Sequence, residues 1–169
     1  MLKWIGAALV IAGCAGTGFS MAAAHRRREG ELRHLMAALD YMQCELQYRL
    51  TPLPDLCRQT ASQMSGCVRN LFRFLAEELE DQISPDVQRC MCAAIARTAD
   101  LSSDAVSVVE SLGKTLGRFD LDGQIRGLES ARQDCRRALE CLTENRDVRL
   151  RSYQTLGLCA GAALAILFI

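Results

Sequence analysis

The sequence predicts an all-α protein: a bundle of about six helices over residues 25–151, set between an apolar helix at 1–24 and another at 152–169. Three observations predict it. Apolar residues recur at steps of three and four through most of the middle, the spacing of one helical face. Helix starts are marked by Ser, Thr or Asp next to a proline or an acid. No stretch of any length alternates with the period of a strand. A chain of 169 residues favours one folded domain, and its charged middle is long enough for a modest core.

The apolar ends come first because they decide where that domain sits. Met1 to Ala24 carries one charged side chain, Lys3, and is followed at once by His25, Arg26, Arg27 and Arg28. Ser152 to Ile169 carries no charge, and Arg146, Arg149 and Arg151 stand just before it. Eighteen helical residues span about 27 Å, close to the hydrocarbon thickness of a bilayer. Basic residues flanking a span tend to stay on the cytoplasmic side. Both ends therefore predict the same topology, with the middle in the cytosol and both termini outside. The rival is a lipid-anchored or secreted extracytoplasmic helical binding module. Ile11-Ala12-Gly13-Cys14 looks like a lipoprotein signal box, and Met21-Ala22-Ala23-Ala24 like a small-residue cleavage site. Either would place the arginine cluster outside, against the charge rule, and needs a more basic start than Lys3.

Glu29 to Leu50 predicts the first bundle helix, with Leu32, Leu35, Leu39, Met42, Leu46 and Leu50 as its inward stripe. Thr51-Pro52-Leu53-Pro54-Asp55 ends it, since a proline pushes the residue before it from helical angles. Thr51 is the expected cap of a second helix with Pro52 at its first position, running through Leu56, Cys57, Thr60, Ala61 and Met64. The third is expected over 67–81, with Val68, Leu71, Phe72, Leu75 and Leu79 inward. Its end is acidic, with Glu77, Glu78, Glu80 and Asp81, which reads as a solvated face rather than a metal or catalytic pair. Ser84-Pro85-Asp86 opens a fourth carrying Val87, Met91, Ala94, Ile95 and Thr98. Ser102-Ser103-Asp104 opens a fifth with Val106, Val109 and Leu112 inward. Gly113 and Gly117 then interrupt the pattern, marking a turn, a loose helix or a close backbone approach. A sixth helix starts near Asp120 or Asp122 and runs through Leu121, Ile125, Leu128, Cys135, Leu139 and Leu142.

Little here suggests chemistry. Net charge is zero, so no nucleic-acid footprint shows. The nine cysteines are odd in number and mostly sit among apolar residues at helical spacing, which reads as packed, reduced thiols. Gly113-Lys114-Thr115 lacks the preceding strand and the glycine five positions upstream, where Val108 stands, that a phosphate-cradling loop requires. Cys90 and Cys92 are two apart and point to different sides of a helix, so they do not share an ion. His25 and His34 are the only histidines, and no base pairs with a nucleophile. The residues therefore call for no enzyme activity, cofactor, metal or small-molecule substrate. In the last span Gly157 and Gly161 offer a small-residue face for the other span or for a partner's helix, a second copy included.

Four pieces of the chain resemble the stage III sporulation protein AB family. They are Met1-Leu2-Lys3-Trp4-Ile5-Gly6-Ala7 with Thr17-Gly18-Phe19; Glu45-Leu46-Gln47-Tyr48-Arg49-Leu50-Thr51-Pro52-Leu53-Pro54; Leu112-Gly113 with Leu116-Gly117, Asp120 and Gln124; and Tyr153, Leu156-Gly157 and Gly161. They run in order from one end of the chain to the other. The stretch from Ala61 to Asp104 adds little, and the many cysteines depart from the family pattern. The resemblance implies a protein of the mother-cell membrane around the forespore, part of a channel-like complex, with the other stage III sporulation proteins as partners. The family is similar in turn to the cytoplasmic domain of type II secretion F proteins, a membrane platform. By that analogy the bundle docks the cytosolic ATPase AA, and Tyr48, Pro52, Pro54, Gly113, Gly117, Asp120, Gln124, Tyr153, Gly157 and Gly161 are candidate contact or packing residues.

Overall fold

A computed structural model describes the backbone of residues 2–81, 86–117 and 120–143, and side chains from residue 23 onward within those ranges. The described residues hold six helices joined by short connectors, with no strand among them. These are α1 (Leu2–Arg49), α2 (Leu53–Gln63), α3 (Gly66–Glu80), α4 (Val87–Arg97), α5 (Ser103–Gly113) and α6 over 121–143. The expected division of the first fifty residues into two helices is replaced by one, α1. Nothing between Ala24 and Glu29 breaks a helix, because the basic cluster and Gly30 are tolerated in its interior.

Arg28–Leu139 forms a compact unit of its own; the terminal segments, Met1–Arg27 and Glu140–Ile169, group separately. The core of the compact unit follows the predicted stripes closely. Leu32, Leu35, Leu39, Met42 and Leu46 of α1 are buried, as are Val68, Leu71, Phe72, Leu75 and Leu79 of α3. On α4, Val87, Met91, Ala94 and the following Thr98 are buried, while Ile95 is half-buried. On α5, Val108 and Val109 take the core and Val106 is only half-buried. α6 contributes Leu128, Ala131 and Cys135. Helices α2 to α5 pack in succession, each on the next.

α6 closes the bundle against α1. Arg132 reaches Asp40 at 3.0 Å, and Gln43 donates to Glu129 at 3.2 Å. As α1 advances three residues, its partner on α6 retreats three, so the two run antiparallel. The chain therefore enters this unit at Arg28 and leaves it at Leu139 at the same end. A buried carboxylate lies on the entry side of α1: Glu31, only 5% exposed, accepts the backbone N–H of Ser102 at 2.8 Å. That bond fixes the α4–α5 turn to α1 and satisfies a donor that the start of α5 would leave orphaned.

Two expected helix starts shift, and a third holds. Pro52, not Thr51, is the N-cap of α2, and no side chain caps it; Pro54 sits in the first turn, where its missing N–H costs nothing. Leu53 precedes Pro54 and is helical all the same, because it is the first residue of the element. At α4 the cap is Asp86, whose carboxylate accepts the Gln88 N–H at 3.2 Å, while Ser84 and Pro85 lie outside the described residues. At α5 the expected cap holds, with Ser102 Oγ accepting the Ala105 N–H at 3.3 Å. The acidic end of α3 is tied down by cations. Arg97 of α4 donates to Glu78 at 2.8 Å and Glu77 at 2.9 Å while stacking 4.3 Å from the Phe74 ring, and Arg58 pairs with Glu80.

Among the residues whose side chains are described, no helix is long and apolar enough to cross a membrane. The two predicted spans, and with them Arg146, Arg149, Arg151, Tyr153, Gly157 and Gly161, lie outside those residues. Arg26, Arg27 and Arg28 are exposed on α1.

Candidate functional site

At the end of the bundle opposite Arg28, the last turn of α1 meets the turn between α5 and α6. Arg28 and Arg49 lie 21 residues apart on one helix, about 32 Å along its axis. Here the chain leaves α1 sharply. Leu50 takes left-handed backbone angles, φ 50°, because Pro52 forbids another helical turn. A leucine in that conformation costs about 1–2 kcal/mol, which glycine or asparagine would largely avoid. Its side chain is 67% exposed, which removes it from the inward stripe where the sequence pattern placed it. Tyr48, two residues earlier, is 82% exposed.

The other wall is built by the residues after α5. Gly113 ends that helix, and a Cβ there would stand 3.0 Å from Cβ of Met91, so it is a close-approach glycine between α5 and α4. Thr115 and Leu116 donate back to Leu112, a tight turn that carries the chain to Gly117. Gly117 needs a left-handed φ of 73°, and a Cβ would lie 2.5 Å from Cγ2 of Val87. Asp120 caps α6, accepting the Gly123 N–H on its carboxylate at 3.1 Å and the Gln124 N–H on its carbonyl at 3.0 Å. Sequence reasoning left open whether Asp120 caps a helix or meets a partner; its carboxylate caps. One residue was missed altogether. Gly127 sits in α6 where a Cβ would lie 2.5 Å from Oγ1 of Thr115, so the turn rests directly on that helix. A glycine inside a helical pattern was the available signal.

Between the two walls lies an open groove of about 310 Å³. Leu46 and Leu50 line it from α1, Thr51 and Pro52 from the connector, and Leu53 from α2. Gly117 closes one side, and Leu121 and Gln124 of α6 the other. The structure thus brings together two of the four family-like pieces, the one around Leu50 and Pro52 and the one around Gly117 and Gln124. Tyr48 stands beside the groove in sequence, Asp120 caps the helix that forms its wall, and Pro54 follows Leu53. Gly113 is a packing residue on α4 and does not line it.

The groove is apolar and lacks reactive groups. Among the described residues no three His, Cys, Asp or Glu side chains gather to hold a metal. Burial pushes the Tyr41 phenol up, and the neighbouring Glu45 carboxylate adds to the shift. Burial pushes the Cys57 and Cys135 thiols up to about 12, so both are inert packing groups. Cys90 is raised for the same reason, with its Sγ 3.6 Å from the Glu78 carbonyl. Gly113-Lys114-Thr115 closes α5 at its carboxyl end, where carbonyl oxygens face outward; a phosphate needs the opposite helix end.

A protein-family model described as stage III sporulation protein AB matches residues 3–169. Stage III sporulation protein AB of Bacillus subtilis (strain 168) is 27% identical over 172 residues, covering 100% of both chains. A solved structure of stage III sporulation protein AB (SpoIIIAB) superposes with a TM-score of 0.64 at 23% identity, covering 72% of this chain and 98% of that one, which shows a shared fold.

Proposed function

Because the chain belongs to the stage III sporulation protein AB family, and so has a role in sporulation, we propose that it acts without catalysis as a membrane-tethered platform. In this reading residues 1–24 and 152–169 cross the mother-cell membrane around the forespore, residues 25–151 stand in the cytosol, and both termini face out. The far end of the bundle docks a cytosolic partner, the ATPase AA of the same sporulation set, against a channel-like membrane complex. The bundle takes no nucleic acid, cofactor or small-molecule substrate.

The observation that carries this reading is the antiparallel pairing of α1 and α6, read from Arg132–Asp40 and Gln43–Glu129. It gathers the entry and exit of the unit at one end and leaves the exposed apolar groove about 32 Å away at the other. Exposed apolar surface is costly on a soluble face and marks an interaction site. A photo-crosslinker at Tyr48, 82% exposed, tests the reading in sporulating cells. A crosslink to the ATPase supports docking at this end. Crosslinks confined to other membrane components, or none, contradict it.

A further inference from the structure

We infer that Arg26, Arg27 and Arg28 of α1 form a collar that binds the phosphate of anionic phospholipid headgroups. The inference rests on the platform reading, in which residues 1–24 lie in the membrane, and it names the lipid class that the tether takes.

α1 is one helix from Leu2 to Arg49, so the apolar run ending at Ala24 passes into the basic residues with no turn between them. At 1.5 Å per residue, positions 26–28 stand about 3–6 Å beyond position 24 along that helix. The headgroup layer of a bilayer is about 5–8 Å deep on each side of the hydrocarbon. The spacing therefore matches the three arginines to the depth of lipid phosphates. The packed stripe of α1 stops where this layer would end. Leu32 and Leu35 are buried, and Arg28 stands four and seven residues before them on the same stripe, yet it is exposed.

The shape of the charge selects the partner. Successive helical positions turn by about 100°, so the three arginines cover about 200° of the helix circumference. A docked protein touches one face of a helix, whereas a layer of charge that the helix crosses meets it on most sides. All three arginines are exposed. The carboxylates that follow them are engaged within the chain: Glu29 accepts from Arg33 at 2.7 Å, and Glu31 accepts the Ser102 N–H at 2.8 Å. Among the described residues neither Arg26 nor Arg28 has an ion-pair partner. A guanidinium group binds two phosphate oxygens at once, and an arginine is always charged.

The test uses the full chain in a non-ionic detergent with equal amounts of phosphatidylglycerol and phosphatidylcholine. Native mass spectrometry reads the ratio of the two lipids retained. Phosphatidylglycerol should exceed phosphatidylcholine by about tenfold or more, and Arg26→Gln or Arg28→Gln alone should lower that excess about fivefold. Changing all three arginines to glutamine should bring the ratio close to one, with the fold unchanged by circular dichroism. Arg33→Gln, one turn further along and paired with Glu29, should leave the ratio unchanged. Equal retention by the native chain, an excess that survives the triple change, or an equal loss in Arg33→Gln overturns the inference. So does displacement of the lipid by millimolar inorganic phosphate, which assigns the collar to a soluble anion. Lipid choice in detergent does not depend on which side of a membrane the bundle faces. Equal retention with the expected topology therefore removes the collar alone, and a reversed topology with the excess retained removes the platform alone.

Discussion

Arg132 on α6 reaches Asp40 on α1 at 3.0 Å, and this pair sets the direction of the last described helix against the first. Its energy is modest, since both side chains are about half exposed and such pairs contribute ~0–1 kcal/mol. Its value is positional: with Gln43–Glu129 it fixes register and places the groove at the end away from Arg28.

The glycines on either side of the α5–α6 turn should separate by substitution. Gly113→Ala puts a methyl 3.0 Å from the Met91 Cβ and should cost about 1–3 kcal/mol. Gly117→Ala adds left-handed strain to a clash with Val87 and should cost more. Gly30→Ala, with nothing within 4 Å, should stabilise by about 0.5–1 kcal/mol. Urea denaturation of the three variants checks the order.

Asp120→Ala should destabilise by about 0.5–2 kcal/mol, the cost of losing a helix cap, and Asp120→Asn should restore most of it. A melting series on these two variants is sufficient. Equal loss in both would point to the charge rather than the cap.

Cys57 gives stability a pH dependence. Its thiol is held neutral by burial, with a folded pKa of about 12 against an ordinary value of 9.0. The folded chain then binds the proton more tightly than the unfolded chain. The stabilisation is fully present below pH 9 and is lost as pH rises from 9 toward 12. Cys135 is raised to about 12 as well, so Cys57→Ala should lessen that decline and the double change Cys57→Ala with Cys135→Ala should flatten it, in denaturation curves taken across the range.

Lys114 is exposed at the carboxyl end of α5. Lys114→Ala should leave sporulation efficiency unchanged. Loss of function in a stably folded variant would revive a nucleotide-dependent role for Gly113-Lys114-Thr115.

The fold was legible where local pattern and burial agree. The stripe of α3 needed only its spacing, and Ser102 capped α5 as its sequence context suggests. Boundaries slipped where prolines allowed two solutions, as at Thr51 and Ser84. Leu50 was misplaced because a continued stripe looks the same in sequence whether or not the helix stops one residue short. Val108 was missed because neighbouring valines at 106, 108 and 109 compete for one face. The groove could not be read at all, since it joins residues near 50 to residues near 120. Pro52 and Gly117 were legible as local breaks, but only family resemblance grouped them with Gln124 as candidate contact residues. The turn geometry that unites them depends on α4 and α6 lying against it.

A platform that docks a cytosolic partner requires the bundle to stand in the cytosol between two membrane spans. Cys44 and Cys92 are exposed thiols within it, whereas Cys57, Cys90 and Cys135 are buried. A membrane-impermeant maleimide applied to cells expressing the full chain reads the topology directly. Labelling of Cys44 and Cys92 only after permeabilisation is the predicted result; labelling in intact cells contradicts it.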